Sequence, residues 1–415
     1  MNGKFKTVTL SAMMMAGLIA AGAISAQTVG GGATLPEPLY DALLPSGVGN
    51  FEFTYTGTGS GAGKKAFLNN NPRATTDREF RNESLAARPI WPTTQSVHFV
   101  GSDSVLTSAE KNGYNNDNFL GTSSAPKTRQ QAWGPLIQIP AVATAVLIPY
   151  KSSTISAGTD LNLSDGKMCA VFSQKTGGRT WGEVLGTNDN TPVQVVYQAD
   201  GSGTTELLSR YLVAACPGSG FFVSNSFAAV VAGALPSGTT LASTGWLSVK
   251  GDGEMSSSFG GAGRIGYMSP DPAYNPSNNT RIAKVNGFLP VAASIKNALG
   301  AQSLPLNNAA NDPLAWVPAY IKPPVSGSGA SYPIFGTTNL LINQCYANAT
   351  VQSNVMVFLG DLYSSSLVGT HGFVDLPDGT NGTNDWRGAI VSTFMDSANS
   401  LGIGNTNVCN GIGRP

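Results

Sequence analysis

Short apolar runs alternate along this chain with clusters of Gly, Ser and Thr, and each cluster leads into a run with helix-forming character. Residues 51–55 (FEFTY) alternate apolar and other side chains, the period of a half-buried strand. They lead into the glycine-rich 57–63 (GTGSGAG) and then the helix-forming 64–68 (KKAFL). The same order recurs. Residues 30–35 (GGGATL) read as a loop before Pro36 and a helical run at 37–44, where proline suits a first helical turn. Residues 97–100 (VHFV) precede 101–104 (GSDS), with a short helix expected after Thr107. Residues 193–197 (VQVVY) precede 198–204 (QADGSGT) and a helix over 205–212. Strands alternating with helices predict α/β layers on a mostly parallel sheet.

Two longer apolar runs, 137–150 and 332–342, are placed to connect domains. The second follows a Pro/Gly/Ser-rich loop at 323–329. Residues 70–95 are rich in Pro, Arg and polar side chains and read as an irregular surface insertion, and Asn/Gly-rich 375–385 reads as a loop. A length of 415 residues suggests two or three domains at about 150 residues each. The first 26 residues carry a targeting pattern: Lys4 and Lys6, an apolar run over 8–24, then small residues at 23–26. That is the order of a secretory signal, so the mature chain is expected to begin near Gln27 and to be soluble and exported.

Composition narrows the function. The chain has 24 Lys+Arg against 24 Asp+Glu, and only 12% of its residues are charged. Nucleic-acid binding needs clustered cations and is set aside. A surface made mostly of Ser, Thr, Asn and Gly would meet a charged ligand through dipoles. Four cysteines, Cys169, Cys216, Cys345 and Cys409, suit an oxidising compartment. Three pairings are open, of which Cys169–Cys216 with Cys345–Cys409 is the simplest. Zinc-ligand spacing is absent, and His98 and His371 are the only histidines.

Loops that end strands and begin helices collect ligands in α/β sheets. The helix N-termini there present unpaired N–H groups and about half a positive charge. Four such loops converging would cage an oxyanion such as phosphate. Sharper motifs fail. A P-loop ending on Gly63-Lys64 would need glycine at Thr58 and a hydroxyl at Lys65. The dinucleotide spacing from Gly57 meets Ala62. The hydrolase elbow fails around Ser60, flanked by Thr58 and Ala62, and around Ser202, flanked by Asp200 and Thr204. A catalytic triad would have to use His98 or His371, and His98 lies in a strand-like run that suits a core residue.

Eight ordered blocks carry a resemblance: 30–36 (GGGATLP), 59–64 (GSGAGK), 101–104 (GSDS), 138–150, 201–207 (GSGTTEL), 332–340, 344–350 (QCYANAT) and 402–415 (GIGNTNVCNGIGRP). They cover most of the mature chain, which resembles the DING proteins, a branch of the periplasmic phosphate-binding proteins that serve phosphate ABC transporters. The name-giving Asp-Ile-Asn is here Gln27-Thr28-Val29. The resemblance implies a two-lobe, type II periplasmic binding protein fold. Each lobe is a mixed sheet flanked by helices, and the two apolar runs are the hinge strands. One lobe is expected from 27–143 with 332–415, the other from 144–331.

The resemblance implies phosphate-binding roles for Thr34, Leu35, Ser60, Asp103, Ser202, Gly203 and Thr204, and it supports the two neighbour disulfides. It also places Gln198 where the family has an arginine that pairs with ligand and carboxylates. Asp200 is kept. Lys64 or Lys65 is a candidate for the missing charge, and an exposed, inconsequential Gln198 is the plain alternative. Asp103 can only accept, so it favours an anion that still carries a proton, as hydrogen phosphate does and sulfate does not. The leading expectation is a monomeric phosphate-binding protein, periplasmic or secreted, with no cofactor, no nucleic acid, and a phosphate ABC permease as partner. A phosphatase using the same cleft is the alternative. A ligand-poor adhesive or inhibitory relative is a third reading.

Overall fold

The computed structural model describes residues 28–44, 53–73, 80, 94–155, 160–271, 274, 281–305, 307–317, 319–380 and 384–415. The expected signal at 1–26 and most of the insertion at 70–95 lie outside them.

Among the described residues, nine strands build the two main sheets. In chain order they are β1 (Thr28–Gly32), β2 (Phe53–Thr54), β3 (Phe99–Ser102), β4 (Leu136–Ala145), β5 (Tyr150–Lys151), β6 (Gln194–Gln198), β7 (Leu247–Val249), β8 (Arg264–Gly266) and β9 (Phe335–Asn343). The first sheet has the order β2-β1-β3-β9-β4 and the second β7-β6-β8-β5. Both are mixed. β1 runs parallel to β2 and β3, while β9 is antiparallel to β3 and β4. β6 runs parallel to β7 and β8, and β5 closes the edge antiparallel. Five helices matter to the cleft: α1 (Glu37–Leu43), α2 (Ser60–Leu68), α3 (Ser108–Asn116), α4 (Gly203–Ala215) and α5 (Gly251–Ser258).

The two apolar runs become the longest strand pair. β4 and β9 stay in register from Leu136 opposite Asn343 to Ala145 opposite Phe335, with one irregularity at Thr338/Asn339. Every β4 side chain is buried, which is why the run shows no alternation. Beyond Ala145 the chain continues into the second sheet: the Val146 N–H bonds to the Ile334 carbonyl (2.9 Å), and Leu147 pairs with Met268. The buried Tyr332 hydroxyl donates to the Val146 carbonyl at 2.7 Å and pins the two strands where they pass between sheets.

The loop expected at 30–32 is strand. Gly32 has φ +121° and lies against the helix backbone, so a Cβ on Gly63 would fall 2.3 Å from the Gly32 Cα. Glycine at both positions lets α2 press onto β1. The glycine-rich loops are also shorter than the sequence suggests. α2 starts at Ser60 and α4 at Gly203, so residues read as loop form first helical turns. The helix after Thr107 is α3, with a capping box between Thr107 and Glu110. Cys169–Cys216 and Cys345–Cys409 form the two disulfides. Arg414 is buried beneath the first sheet, donating to the Phe67 and Val97 carbonyls and to Asn343 Oδ1 (2.9 Å) and stacking on the Phe67 ring (3.8 Å).

Candidate functional site

A cleft of about 1540 Å³, counted to its open mouth, is lined by loops from both sheets. All eight residues singled out in the sequence line it: Thr34, Leu35, Ser60 and Asp103 from the first sheet's side, Gln198, Ser202, Gly203 and Thr204 from the second's. They come together because β1, β3 and β6 end there and α2 and α4 begin there. Both helices point their unpaired N–H groups into the cleft.

Asp103 follows β3 directly and is 3% exposed. Its backbone N–H donates to Ser60 Oγ (3.0 Å), and that hydroxyl lies 3.5 Å from Asp103 Oδ2. Oδ1 has no hydrogen-bond partner. Burial pushes the carboxyl up to about 7, opposed by the neighbouring Thr338 and helped by the charges of Asp252 and Glu206. The Thr338 hydroxyl stands near enough to act on that charge, without a hydrogen bond of ordinary geometry. Once ionised, above about pH 7, this carboxylate is acceptor-only, and its buried, unpaired oxygen is what a ligand's own proton would satisfy.

The second side closes onto this carboxyl. A Cβ on Gly203 would lie 2.1 Å from the Asp103 Cβ, so only glycine permits the approach. Ser202 caps α4, its Oγ accepting from the Thr205 N–H (3.4 Å), and its own N–H is held by the Asn225 carbonyl (2.9 Å). The cap leaves the Ser202 hydroxyl proton available to a ligand. The Thr204 hydroxyl is shared with Ser269 at 2.8 Å.

Gln198 is 3% exposed, so the expectation of an exposed position is corrected. Its amide donates to Asp252 Oδ1 (2.8 Å), and its backbone N–H to the Tyr267 hydroxyl (3.2 Å). Burial raises the Asp252 carboxyl above its ordinary value. Neither Lys64 nor Lys65 supplies the missing cation. Lys64 is buried and bonds the Val105 carbonyl (2.9 Å) and Glu110 (3.1 Å), while Lys65 is exposed and does not line the cleft.

Sequence reasoning missed the turn between β7 and α5, which brings Lys250 and Asp252 to the cleft, and it missed Asn225. The signal was present as Gly251 and Gly253 flanking Asp252, but β7 is three residues long and shows no alternation. His98 sits in the core: Nδ1 accepts from the Val29 N–H (2.9 Å), and burial with the nearby Arg414 charge pushes it down to about 3. Neither histidine lines the cleft. Among the described residues, no three His, Cys, Asp or Glu side chains are grouped to hold a metal ion.

Two mixed sheets flanked by helices, linked where the chain runs on from β4, with strand ends and helix starts lining a cleft between them, have the architecture of a solute-binding protein. Residues 20–359 match the profile of the PBP superfamily domain. The chain is 40% identical to alkaline phosphatase L of Pseudomonas aeruginosa PAO1, over 97% of this chain and 99% of that protein. It is 36% identical to a phosphate-binding protein from an unknown prokaryotic organism, over 93% and 99% of the two chains. A high affinity periplasmic phosphate-binding protein, PfluDING, solved bound with phosphate at pH 8.5, superposes with a TM-score of 0.74 at 35% identity, over 94% of this chain and 99% of that one. The chain belongs to the PBP superfamily and, within it, to the DING-type phosphate-binding proteins.

Proposed function

We propose that the protein captures inorganic phosphate in the cleft, between a lobe of residues 27–143 with 332–415 and a lobe of residues 144–331. The N-termini of α2 and α4, with Ser60, Ser202 and Thr204, donate to phosphate oxygens, and Thr34 and Leu35 close the cage from the first side. Asp103 takes the ligand's remaining proton on Oδ1, and sulfate, with no proton to offer, is rejected. The observation that carries this reading is the buried Asp103 carboxyl, with Oδ1 unpaired and Oδ2 beside the starts of both helices at Ser60 and Gly203. Phosphate-binding relatives support it.

The protein acts as a binder and not as an enzyme. Export to the periplasm or beyond, action as a monomer, and delivery of phosphate to an ABC permease complete the reading. Calorimetric titration of the phosphate-free mature protein with phosphate, arsenate and sulfate tests it. Phosphate and arsenate should bind and sulfate should not. Equal binding of sulfate removes the role of Asp103. Release of nitrophenol from a nitrophenyl phosphate, scaling with protein concentration, would favour the enzymatic sense of the name alkaline phosphatase L.

A further inference from the structure

The turn between β7 and α5 places a lysine at the cleft. Lys250 is exposed and lines the cleft. Its backbone N–H bonds Glu254 Oε2 (2.7 Å), but among the described residues its ammonium has neither an ion pair nor a hydrogen bond. The other charged residues lining the cleft are Asp103, Asp200 and Asp252, so three carboxylates face one ammonium. Nearby cations are engaged: Lys64 with Glu110 (3.1 Å) and Arg210 with Glu206 (2.6 Å). Gln198, neutral and bonded to Asp252, adds none. Helix N-termini supply only about half a charge each. Among the described residues, an anion entering this cleft therefore meets no full positive charge at its deep end and one, on a flexible four-carbon stem, at the mouth.

We propose that Lys250 is the counter-cation of the bound oxyanion, its ammonium folding over the mouth onto the outward oxygen of phosphate. The inference rests on the phosphate reading above and assigns that site's charge to a mobile rim lysine. Rim charges act through association rate and salt dependence, and an exposed ammonium is screened over about 8 Å at physiological ionic strength. Binding should therefore weaken as sodium chloride is added.

The test is calorimetric titration with phosphate at low and high sodium chloride, using the mature wild type, Lys250→Gln, Lys250→Arg and the double variant Lys250→Gln/Gln198→Arg. Lys250→Gln should bind roughly tenfold more weakly at low salt, the scale of one charged hydrogen bond, and lose most of its salt dependence. Lys250→Arg should keep both. The double variant should regain affinity through its buried cation. A Lys250→Gln protein with wild-type thermal unfolding, affinity and salt response overturns the assignment of Lys250 alone. Absence of phosphate binding by the wild type overturns the functional reading, and this assignment with it.

Discussion

Replacing Asp103 by Asn should make the phosphate-free protein more stable, and more so as pH rises. Burial holds this carboxyl near 7 against an ordinary 3.8. In the unfolded chain the proton leaves near pH 4, and in the folded protein near pH 7. Between those values the folded state binds more protons, so stability falls as pH rises and reaches its full deficit above about 7. The shift of about 3 units corresponds to about 4 kcal/mol. Asn is neutral at every pH and feels none of this. Urea unfolding of phosphate-free wild type and Asp103→Asn at pH 5 and 8 measures it. The variant's advantage should grow by about 2–3 kcal/mol between the two. The same variant should bind sulfate better relative to phosphate, because the amide can donate where the carboxylate could not. A stability difference that is the same at pH 5 and 8 would refute the burial argument and with it the basis for selectivity.

Three further outcomes follow from the geometry. Gly203→Ala places a methyl group where Asp103 already stands. The overpacking should cost roughly 1–3 kcal/mol, read as a lowered thermal unfolding temperature and as weaker phosphate binding by titration. Gln198→Arg introduces a buried cation against Asp252, and titration should show tighter phosphate binding by roughly 1–3 kcal/mol. Unchanged or weaker binding in a folded variant would show that the site tolerates its missing cation. Removing the Cys345–Cys409 bridge, which closes a separation of 64 residues, should cost about 4 kcal/mol on the chain-entropy account, read by urea unfolding of the Cys345→Ala/Cys409→Ala variant.

The parts of the site legible in the sequence are those carried by local pattern. Four glycine-rich stretches beside β-rich runs were visible, and the residues drawn from them line one cleft because strand ends and helix starts coincide there. What local pattern could not reveal depends on partners distant in sequence. That Gly30 to Gly32 are strand follows from α2 and β3 lying against them. That Lys64 is unavailable follows from Glu110, 46 residues away. The engagement of Gln198 follows from Asp252, 54 residues on. β7 is too short to show a period, so the glycines flanking Asp252 had no strand pattern beside them to mark the turn holding Lys250.

The first sheet is completed by residues far apart in the chain. β3 gains its second neighbour only from β9, and Arg414 reaches Phe67 across 347 positions. During synthesis from the N-terminal end, β1, β2 and β3 therefore exist for most of that time with an open edge beside β3. An open edge can pair wrongly and attracts chaperones, and closing so long a loop is slow. On the proposal that the protein is exported, so that its chain threads through a membrane before it folds, this order is an advantage. The segment that locks the sheet arrives last, so topology itself keeps the nascent protein pliable until delivery.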